Sequence, residues 1–293
     1  MRLPLLLTAS ALFALGACQR GQPDSERDPT TEAAPAASPQ QLAAQFEPVM
    51  RGVWVRQDYL AALARTQSPY QAAAQATDVV AMGISMVPPL GRSVPVDAVL
   101  NNHEGYDLNL RLQPGRTPTA LPTSHVNPDQ QERSAYELAY YLGPTDTTLR
   151  LNRYGASQTL RDAVRYQRVR RRYDRNAEQD HVPEVLLSTV RGLLFAGRYA
   201  ATDSSGRTAA AELTADGQVR GLGPLRRYEP NLDFVVTLAN DRDNMRVQAG
   251  KHARTMTYHL HGDTLRLYAA RIVQTPEPQL LQGKLHYTLV RQR

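Results

Sequence analysis

The sequence predicts a mainly β protein built from two tandem antiparallel β-barrel modules, the first of which carries a short helical insertion. Apolar and polar residues alternate from Tyr258 to Leu267, interrupted by Gly262-Asp263. This pattern is typical of a half-buried hairpin. The residues of Thr264–Leu267 read Thr-Leu-Arg-Leu and repeat those of Thr148–Leu151. Each copy is followed by Tyr-x-x-Val-Arg, at Tyr166–Arg170 and at Tyr287–Arg291. A repeat on this scale indicates two related modules.

Composition limits the class of protein. The chain has 293 residues, of which 42% are hydrophobic and 21% charged, as expected of a folded chain long enough for two domains. The formal net charge of +6 permits attraction to anionic lipid or polysaccharide without requiring it. Cys18 is the only cysteine. This excludes intrachain disulfides and thiolate metal sites.

The N-terminal residues have the pattern of a secretory leader. Arg2 precedes an apolar run from Leu3 to Phe13, which is too short to span a bilayer. The following Leu15-Gly16-Ala17-Cys18 resembles the lipobox of bacterial lipoproteins. That resemblance implies a signal peptide at 1–17 and a diacylated Cys18 as the mature N-terminus. The residue after the cysteine is Gln19 and not an Asp, which at this position would resemble an inner-membrane retention signal. The resemblance therefore implies that the protein is located at the outer membrane. The alternative is an ordinary secretory leader with a chance cysteine.

Residues 18–45 are predicted to be a flexible tether, because they are rich in Gln, Pro, Ser, Ala and charge and have no apolar period. The acidic cluster Asp24–Asp28 is either a surface-export signal, as in some Bacteroidetes lipoproteins, or solvated linker.

The first module is predicted at 46–175. Gly52–Val55 opens it, and two short helical pieces follow at Asp58–Ala64 and Tyr70–Ala76. Prolines and Asn/Asp/Gln residues predict a long loop at 113–134. The remaining strands are predicted at Val79–Val87, Val94–Leu100, Asp107–Leu112, Ala135–Leu142, Thr147–Tyr154 and Val164–Arg171.

The second module is predicted at 183–293 and begins with a short helix at Pro183–Val190. Turn residues such as Ser205-Gly206 and Asp216-Gly217 separate short segments, which is typical of an up-and-down barrel. The predicted strands are Leu193–Asp203, Arg207–Thr214, Gln218–Glu229, Leu232–Ala239, Met245–Ala249, Arg254–His261, Thr264–Val273 and Lys284–Arg291.

A family resemblance accompanies the first strand of each module. Gly52-Val53-Trp54 is similar to the Gly-x-Trp signature of lipocalins, and Gly197-Arg198-Tyr199 occupies the same place in the second module. The resemblance implies an arginine near the last strand that packs on the aromatic ring and closes the barrel base. The candidates are Trp54 with Arg168 or Arg170, and Tyr199 with Arg291. The two helical pieces after Trp54 depart from the lipocalin pattern.

Few residues suggest chemistry. His259 and His261 share one face of a strand, so they either hold a metal with a third ligand, such as His252 or His286, or face solvent. His103-Glu104 is either an acid–base pair or a polar turn. No complete catalytic or nucleotide-binding motif occurs, and no cofactor is predicted.

The densest positive run provides candidates for an anionic surface, namely Arg165, Arg168, Arg170, Arg171 and Arg172. They are predicted either to dock on anionic lipid headgroups or lipopolysaccharide, or to form a solvated edge. For an exported protein, nucleic acid is not an expected partner. Tyr136, Tyr140 and Tyr141 either line a pocket for an apolar ligand or pack in the core.

The sequence therefore predicts a non-enzymatic envelope lipoprotein, anchored to the membrane through its N-terminal lipid. We expect it to bind a small apolar or amphipathic ligand, or an envelope partner. The alternatives are a structural or assembly lipoprotein with solid cores, and a hydrolase of envelope glycans or lipids.

Overall fold

The computed structural model describes residues 37–86, 91–126, 134–177, 180–234, 241–274 and 278–292. These residues form two eight-stranded antiparallel sheets. In each sheet all consecutive strands but one pair are neighbours, the first strand pairs with the eighth, and the remaining pair forms the two edges of the sheet. The predicted fold class, mainly β with two barrel modules and a helical insertion in the first, is confirmed.

The helices are α1 (Pro39–Met50), α2 (Gln57–Thr66), α3 (Pro69–Ala72) and α4 (Val182–Leu194), with a 3-10 turn at Ala73–Gln75. The first barrel contains β1 (Gly52–Arg56), β2 (Val79–Ile84), β3 (Ser93–Leu100), β4 (Glu104–Arg111), β5 (Ala120–Pro122), β6 (Ala135–Leu142), β7 (Thr147–Tyr154) and β8 (Leu160–Arg170). The second contains β9 (Gly197–Asp203), β10 (Thr208–Leu213), β11 (Val219–Arg220), β12 (Leu225–Pro230), β13 (Asn244–Ala249), β14 (His252–His261), β15 (Thr264–Val273) and β16 (Gln279–Arg291).

The edge strands of each sheet approach one another at a single seam. In the first barrel an isolated antiparallel bridge joins Leu110 to Thr123, and the N–H of Ser124 donates to the carbonyl of Asn109 at 2.8 Å. In the second barrel the bridge joins Gln218 to Arg227. Because pairing elsewhere in the sheets is continuous, each seam is the weakest part of its barrel wall.

The first seven residues of α1, 39–45, lie in the segment 18–45 that was expected to be a flexible tether, and for these residues that expectation is wrong. Ser38 and Gln41 form a capping box, in which the Gln41 N–H donates to Ser38 Oγ at 3.2 Å and the Ser38 N–H donates to Gln41 Oε1 at 2.8 Å. Leu42, Phe46 and Met50 recur at helical spacing and are buried with the interior residues of the first barrel. The helix therefore belongs to the core of the first module.

The helical insertion of the first module packs against the second module. Tyr59, Leu60 and Leu63 of α2 are buried in one cluster with α4 and the interior of the second barrel. At the end of α2, Gln67 exchanges two hydrogen bonds with the backbone of Gly262, at 2.7 and 3.2 Å. Residues 37–292 consequently form a single compact unit in which the two barrels share a core.

Three predicted strands of the second module differ from the structure. The strand predicted at Leu193–Asp203 begins only at Gly197, because Leu193 and Leu194 continue α4. The segment Gln218–Glu229 is divided into β11 and β12 by a turn that contains Gly221. At Gly221 φ is +76°, and a Cβ would lie 2.0 Å from the carbonyl oxygen of Ala210, so only glycine fits. Leu232, Asp233 and Phe234 are not in a strand, and the rest of the predicted strand Leu232–Ala239 lies outside the described residues.

The predicted loop at 113–134 also contains a strand, since β5 pairs with β6 at Ala120–Pro122. Among the helices of the described ranges, none has the length and apolar character needed to cross a membrane.

Candidate functional site

An arginine lies on an aromatic ring at the base of the first barrel. The guanidinium carbon of Arg168, on β8, is 4.5 Å from the ring centroid of Trp54, on β1. Trp54 Nε1 donates to the carbonyl of Met50 at 2.7 Å, and Arg168 donates to the carbonyl of Val49. Both acceptors are at the end of α1, where helix carbonyls lack intrahelical partners. The Arg–Trp pair therefore joins the helix end to the barrel wall.

The second barrel repeats this arrangement. The guanidinium carbon of Arg291, on β16, is 5.5 Å from the ring centroid of Tyr199, on β9. Tyr199 OH donates to the carbonyl of Phe195 at 2.5 Å, and Arg291 donates to the carbonyl of Leu194 at 2.7 Å. In each barrel the aromatic residue donates to the carbonyl four positions before it in the chain. The arginine donates to the carbonyl five positions before the same aromatic residue.

The structure selects Arg168 rather than Arg170 as the counterpart of Arg291. Thr148 pairs with Gln167, whereas Thr264 pairs with Val290, so Arg168 and Arg291 occupy equivalent positions. The two Thr-Leu-Arg-Leu segments lie on the seventh strand of each barrel. The Tyr-x-x-Val-Arg segments both lie on the eighth strand of their barrel. When the Thr-Leu-Arg-Leu segments of the two barrels are aligned, however, the Tyr-x-x-Val-Arg segments are shifted by two residues relative to one another. Arg170 instead pairs with Asp180 at 2.8 Å.

The barrel interiors are filled with side chains. In the first, Phe46 of α1 contacts Tyr140 edge to face, with ring centroids 5.4 Å apart. In the second, Phe195 contacts Tyr228 and Tyr258 in the same way, with centroids 5.9 and 5.3 Å apart. These aromatic side chains occupy interior positions where a lipocalin-like barrel would hold a ligand.

A cleft of about 380 Å³ lies between the modules. We call it the inter-module cleft. One part of its lining is apolar and comes from β3, α4 and the segment after β12, namely Val99, Pro183, Leu186, Leu187 and Leu232. The other part is polar and includes Asn102, His103, Glu104, Glu229, Asp233 and Arg246. Its size and mixed lining are those of a small-molecule site.

His103 forms the closest polar contact across this cleft. Its Nδ1 is 2.7 Å from Oδ2 of Asp233, so a residue of the first module pairs with one of the second. The neighbouring Asn102 donates from Nδ2 to Tyr59 OH at 2.9 Å and to the carbonyl of Leu232 at 3.1 Å. These bonds fix the β3–β4 turn against the segment after β12. The sequence pattern His103-Glu104 gave no indication of Asp233 as the partner, because the two are far apart in the chain.

A second cavity, of about 370 Å³, adjoins the cleft, and we call it the basic groove. Arg246 and Glu229 line both cavities. The charged side chains that line the groove are Arg191, Arg227, Glu229, Arg246 and Lys251. Arg191 was not a candidate from sequence, because it lies just after the predicted helix Pro183–Val190 and a single arginine there gives no indication of burial.

His259 and His261 lie exposed on the outer face of β14. Tyr258, which precedes them on the strand, is buried and faces the interior. His259 Nε2 is 2.9 Å from Oε1 of Gln282. In the part of the chain that is described, no group of three or more His, Cys, Asp or Glu is arranged to hold a metal ion.

The arginine run is divided among three environments. Arg168 lies at the barrel base, where burial lowers the pKa of its guanidinium. Arg170 pairs with Asp180, as described above. Arg165, Arg171 and Arg172 are exposed. The five candidates therefore do not form one surface.

The three clustered tyrosines also separate. Tyr136 is buried and Tyr140 packs against the first core, whereas Tyr141 is on the outer face with the guanidinium carbon of Arg150 3.9 Å from its ring centroid. Burial raises the pKa of Tyr136 to about 12. The sequence analysis missed the buried His125, whose Nε2 is 2.9 Å from Oδ1 of Asp78.

The proposed lipidation residue, Cys18, lies outside the described residues, as do the signal peptide and most of the expected tether. The sequence matches no protein-family model and no curated protein.

Proposed function

We propose that the protein is a lipid-anchored lipoprotein of the bacterial cell envelope, held at the outer membrane through Cys18. We propose further that it is not an enzyme and that it binds a small amphipathic ligand. The lipobox-like Leu15-Gly16-Ala17-Cys18 supports the anchor, because two or more acyl chains hold a soluble domain stably on a membrane.

The observation that carries the binding proposal is the inter-module cleft. Its apolar residues, such as Leu186 and Leu187, exclude water from a hydrocarbon segment, and polar residues, such as His103 and Arg246, offer hydrogen bonds to a polar end. The filled barrel interiors argue against a ligand inside either barrel, which is where the lipocalin resemblance would put it. The proposed site is therefore between the modules.

Two glycines make a matched test of the cleft. A Cβ at Gly105 or at Gly91 would meet no atom within 4 Å, but only Gly105 lines the cleft. We expect Gly105→Tyr to fill the cleft and Gly91→Tyr to leave it open, both without a clash at Cβ. The protein is extracted from native membranes, and copurifying molecules are identified by mass spectrometry.

An amphipathic molecule that copurifies with the wild type and with Gly91→Tyr, but not with Gly105→Tyr, supports the proposal. If all three preparations carry no small molecule, the structural alternative with solid cores replaces it. A protein that copurifies in the same variant-dependent way supports an envelope partner in the cleft.

The contact between His103 and Asp233 favours a second candidate function, a hydrolase of envelope glycans or lipids. A carboxylate that orients a histidine is the arrangement of a general base. Hydrolysis of extracted envelope glycans or lipids that is lost in both His103→Gln and Asp233→Asn would support it. Hydrolysis equal to that of the wild type would reject it.

The anchor has its own test. Cys18→Ser removes the thiol that lipid attachment requires, and we expect the variant to lose the acyl mass on the N-terminal peptide and to leave the membrane fraction. If Cys18 of the wild type carries no lipid, the anchor proposal is wrong and the alternative, an ordinary secreted protein, replaces it.

A further inference from the structure

Arg191, near the end of α4, is a buried cation whose one ion-pair contact among the described residues is long, at 4.0 Å. Only 5% of the residue is exposed, yet its side chain lines the basic groove. Its Nε has no hydrogen-bond partner among the described residues, and the nearest carboxylate oxygen found there, on the exposed Glu184, is 4.0 Å from its Nη1. A buried charge of this kind is unfavourable unless an opposite charge joins it.

The fold makes room for the Arg191 guanidinium at the mouth of the groove. A Cβ at Gly217 would lie 3.0 Å from Cζ and 3.2 Å from Nε of Arg191, and φ at Gly217 is +82°. The glycine therefore lets the turn after β10 close against the arginine. The guanidinium carbon is also 5.9 Å from the ring centroid of Tyr228, which holds it from a second side.

The groove presents an excess of positive charge next to an apolar surface. Arg227, Arg246 and Lys251 line it with Arg191, and Glu229 is the one carboxylate among its lining residues. Arg246 and Glu229 also line the inter-module cleft, so the groove and the cleft share these two lining residues. Leu186 and Leu187 of the cleft precede Arg191 on the same helix. Apolar and cationic surfaces therefore follow each other along α4.

We propose that this site binds a single-chain amphiphile with an anionic phosphate head, in which the head lies on Arg191 and the hydrocarbon chain lies in the inter-module cleft. This inference rests on the proposed function only for the placement of the hydrocarbon chain in the inter-module cleft. Arginine is suited to the head because its planar guanidinium donates two parallel hydrogen bonds to a phosphate.

The test uses three probes and isothermal titration calorimetry. Dodecyl phosphate, below its micelle concentration, carries both features, inorganic phosphate carries the head alone, and dodecyl maltoside carries the chain alone. We expect dodecyl phosphate to bind at least tenfold more tightly than either of the others. Equal affinity for dodecyl phosphate and dodecyl maltoside would overturn the proposal.

Arg191→Met keeps the length of the side chain and removes its charge. We expect at least a tenfold loss of affinity for dodecyl phosphate, together with an apo protein whose unfolding temperature is equal to or higher than that of the wild type. A merely structural arginine would give a lower unfolding temperature with unchanged affinity, which would refute the assignment. The matched control is Arg254→Gln, an exposed arginine on β14 that does not line the groove.

Arg227→Gln with Lys251→Gln provides a second readout at exposed residues of the groove, where misfolding is not a concern. We expect this double variant to bind dodecyl phosphate several-fold more weakly and with a smaller dependence on salt. Unchanged affinity and salt dependence would count against the groove.

Gly105→Tyr separates the two halves of the site. If it weakens dodecyl phosphate but not inorganic phosphate, the chain lies in the cleft and the head in the groove. If Arg191→Met has no effect while Gly105→Tyr abolishes binding, the proposed function stands and the anionic head is wrong. If only Arg191→Met matters, the groove binds an anion and the cleft proposal fails.

Discussion

Arg168 lies on the ring of Trp54 and donates to the end of α1, as Arg291 lies on Tyr199 and donates to the end of α4. One set of contacts thus closes two barrels of the same chain. Each set joins three parts of a module, namely the entering helix, the first strand and the eighth strand. Since the residues that form it are far apart in sequence, the contact stabilises barrel closure rather than local structure.

The first prediction concerns Arg168. Arg168→Ala removes the cation–π contact and leaves the carbonyl of Val49 without its donor, so we expect a loss of about 1–3 kcal/mol in the free energy of unfolding. Arg165→Ala, an exposed arginine on the same strand, should change it by less than about 0.5 kcal/mol. Urea unfolding measures both. Equal effects would mean that Arg168 has no special place at the barrel base.

The second prediction concerns coupling between the modules. Trp54 is the only tryptophan, so its fluorescence reports on the first barrel. Phe195→Ala removes a buried ring from the core that the barrels share and should cost about 3–5 kcal/mol. We expect the Trp54 transition in urea to shift to lower concentration, although Phe195 lies in the second module. A fluorescence transition that stays in place while circular dichroism shows an earlier one would indicate independent modules.

The third prediction concerns the turn between β11 and β12. Gly221→Ala puts a Cβ 2.0 Å from the Ala210 carbonyl oxygen, so the turn must move, and we expect a loss of more than about 2 kcal/mol. Gly250 is the control, because its φ is also positive, at +59°, but a Cβ there would meet no atom within 4 Å. Gly250→Ala should cost about 1 kcal/mol. Thermal unfolding of the two variants compares crowding with backbone strain alone.

The fourth prediction is a pH dependence at Asp243. Burial raises the pKa of this carboxyl, whose Oδ1 accepts the N–H of Tyr70 at 2.9 Å. Because the folded state holds the proton more tightly than the unfolded state, stability falls as pH rises from the ordinary aspartate pKa of about 3.9 through the raised value. Above this window the loss is complete.

Asp243→Asn cannot titrate at this position. We therefore expect the stability of the wild type, measured relative to the variant by urea unfolding at several pH values, to decrease as pH rises through the window. A difference that is constant with pH, or that increases, would contradict the raised pKa.

The fifth prediction concerns the end of the first barrel that carries α1. Arg92, Arg111, Arg171 and Arg172 are exposed at strand ends there, beside the helix that follows the N-terminal segment. If the lipid anchor holds this end at the membrane, these arginines face the headgroups. We expect protein made without the leader and lipid to bind vesicles containing phosphatidylglycerol but not vesicles of phosphatidylcholine.

Replacement of all four arginines by glutamine should weaken this binding by tenfold or more, since each contributes about 1 kcal/mol near an anionic surface. The matched control replaces four exposed arginines of the second module, namely Arg198, Arg254, Arg266 and Arg271. Vesicle sedimentation measures both. An equal loss in the two variants would mean that net charge alone causes the binding.

The glycine–aromatic pairs illustrate how far sequence reasoning reached. Gly-x-Trp and Gly-x-Tyr, with an arginine near the last strand of each module, were enough to identify Trp54, Tyr199 and Arg291. The choice between Arg168 and Arg170 needed the strand register, which puts Arg168 opposite Trp54 and Arg170 opposite Val53. A bulge where β1 pairs with β8 shifts that register and has no sequence signature.

The inter-module cleft is the part that no pattern could indicate. His103 and Asp233 belong to different modules, and Arg191 looks like an ordinary surface residue of an amphipathic helix. Helix α1 is a different case, since Leu42, Phe46 and Met50 have helical spacing. That short signal was hidden by the polar composition of the segment around it.

The sequence by itself determined the two meandering barrels, because alternation of apolar and polar residues and the placement of turn residues are local properties of the chain. The proposed lipid anchor likewise rests on four consecutive residues alone, Leu15-Gly16-Ala17-Cys18. Only the tertiary structure decided that the insertion of one module completes the core of the other, and that a cleft lies between the modules. These features depend on contacts between residues distant in sequence, whose free energy is set by burial and shape rather than by local pattern.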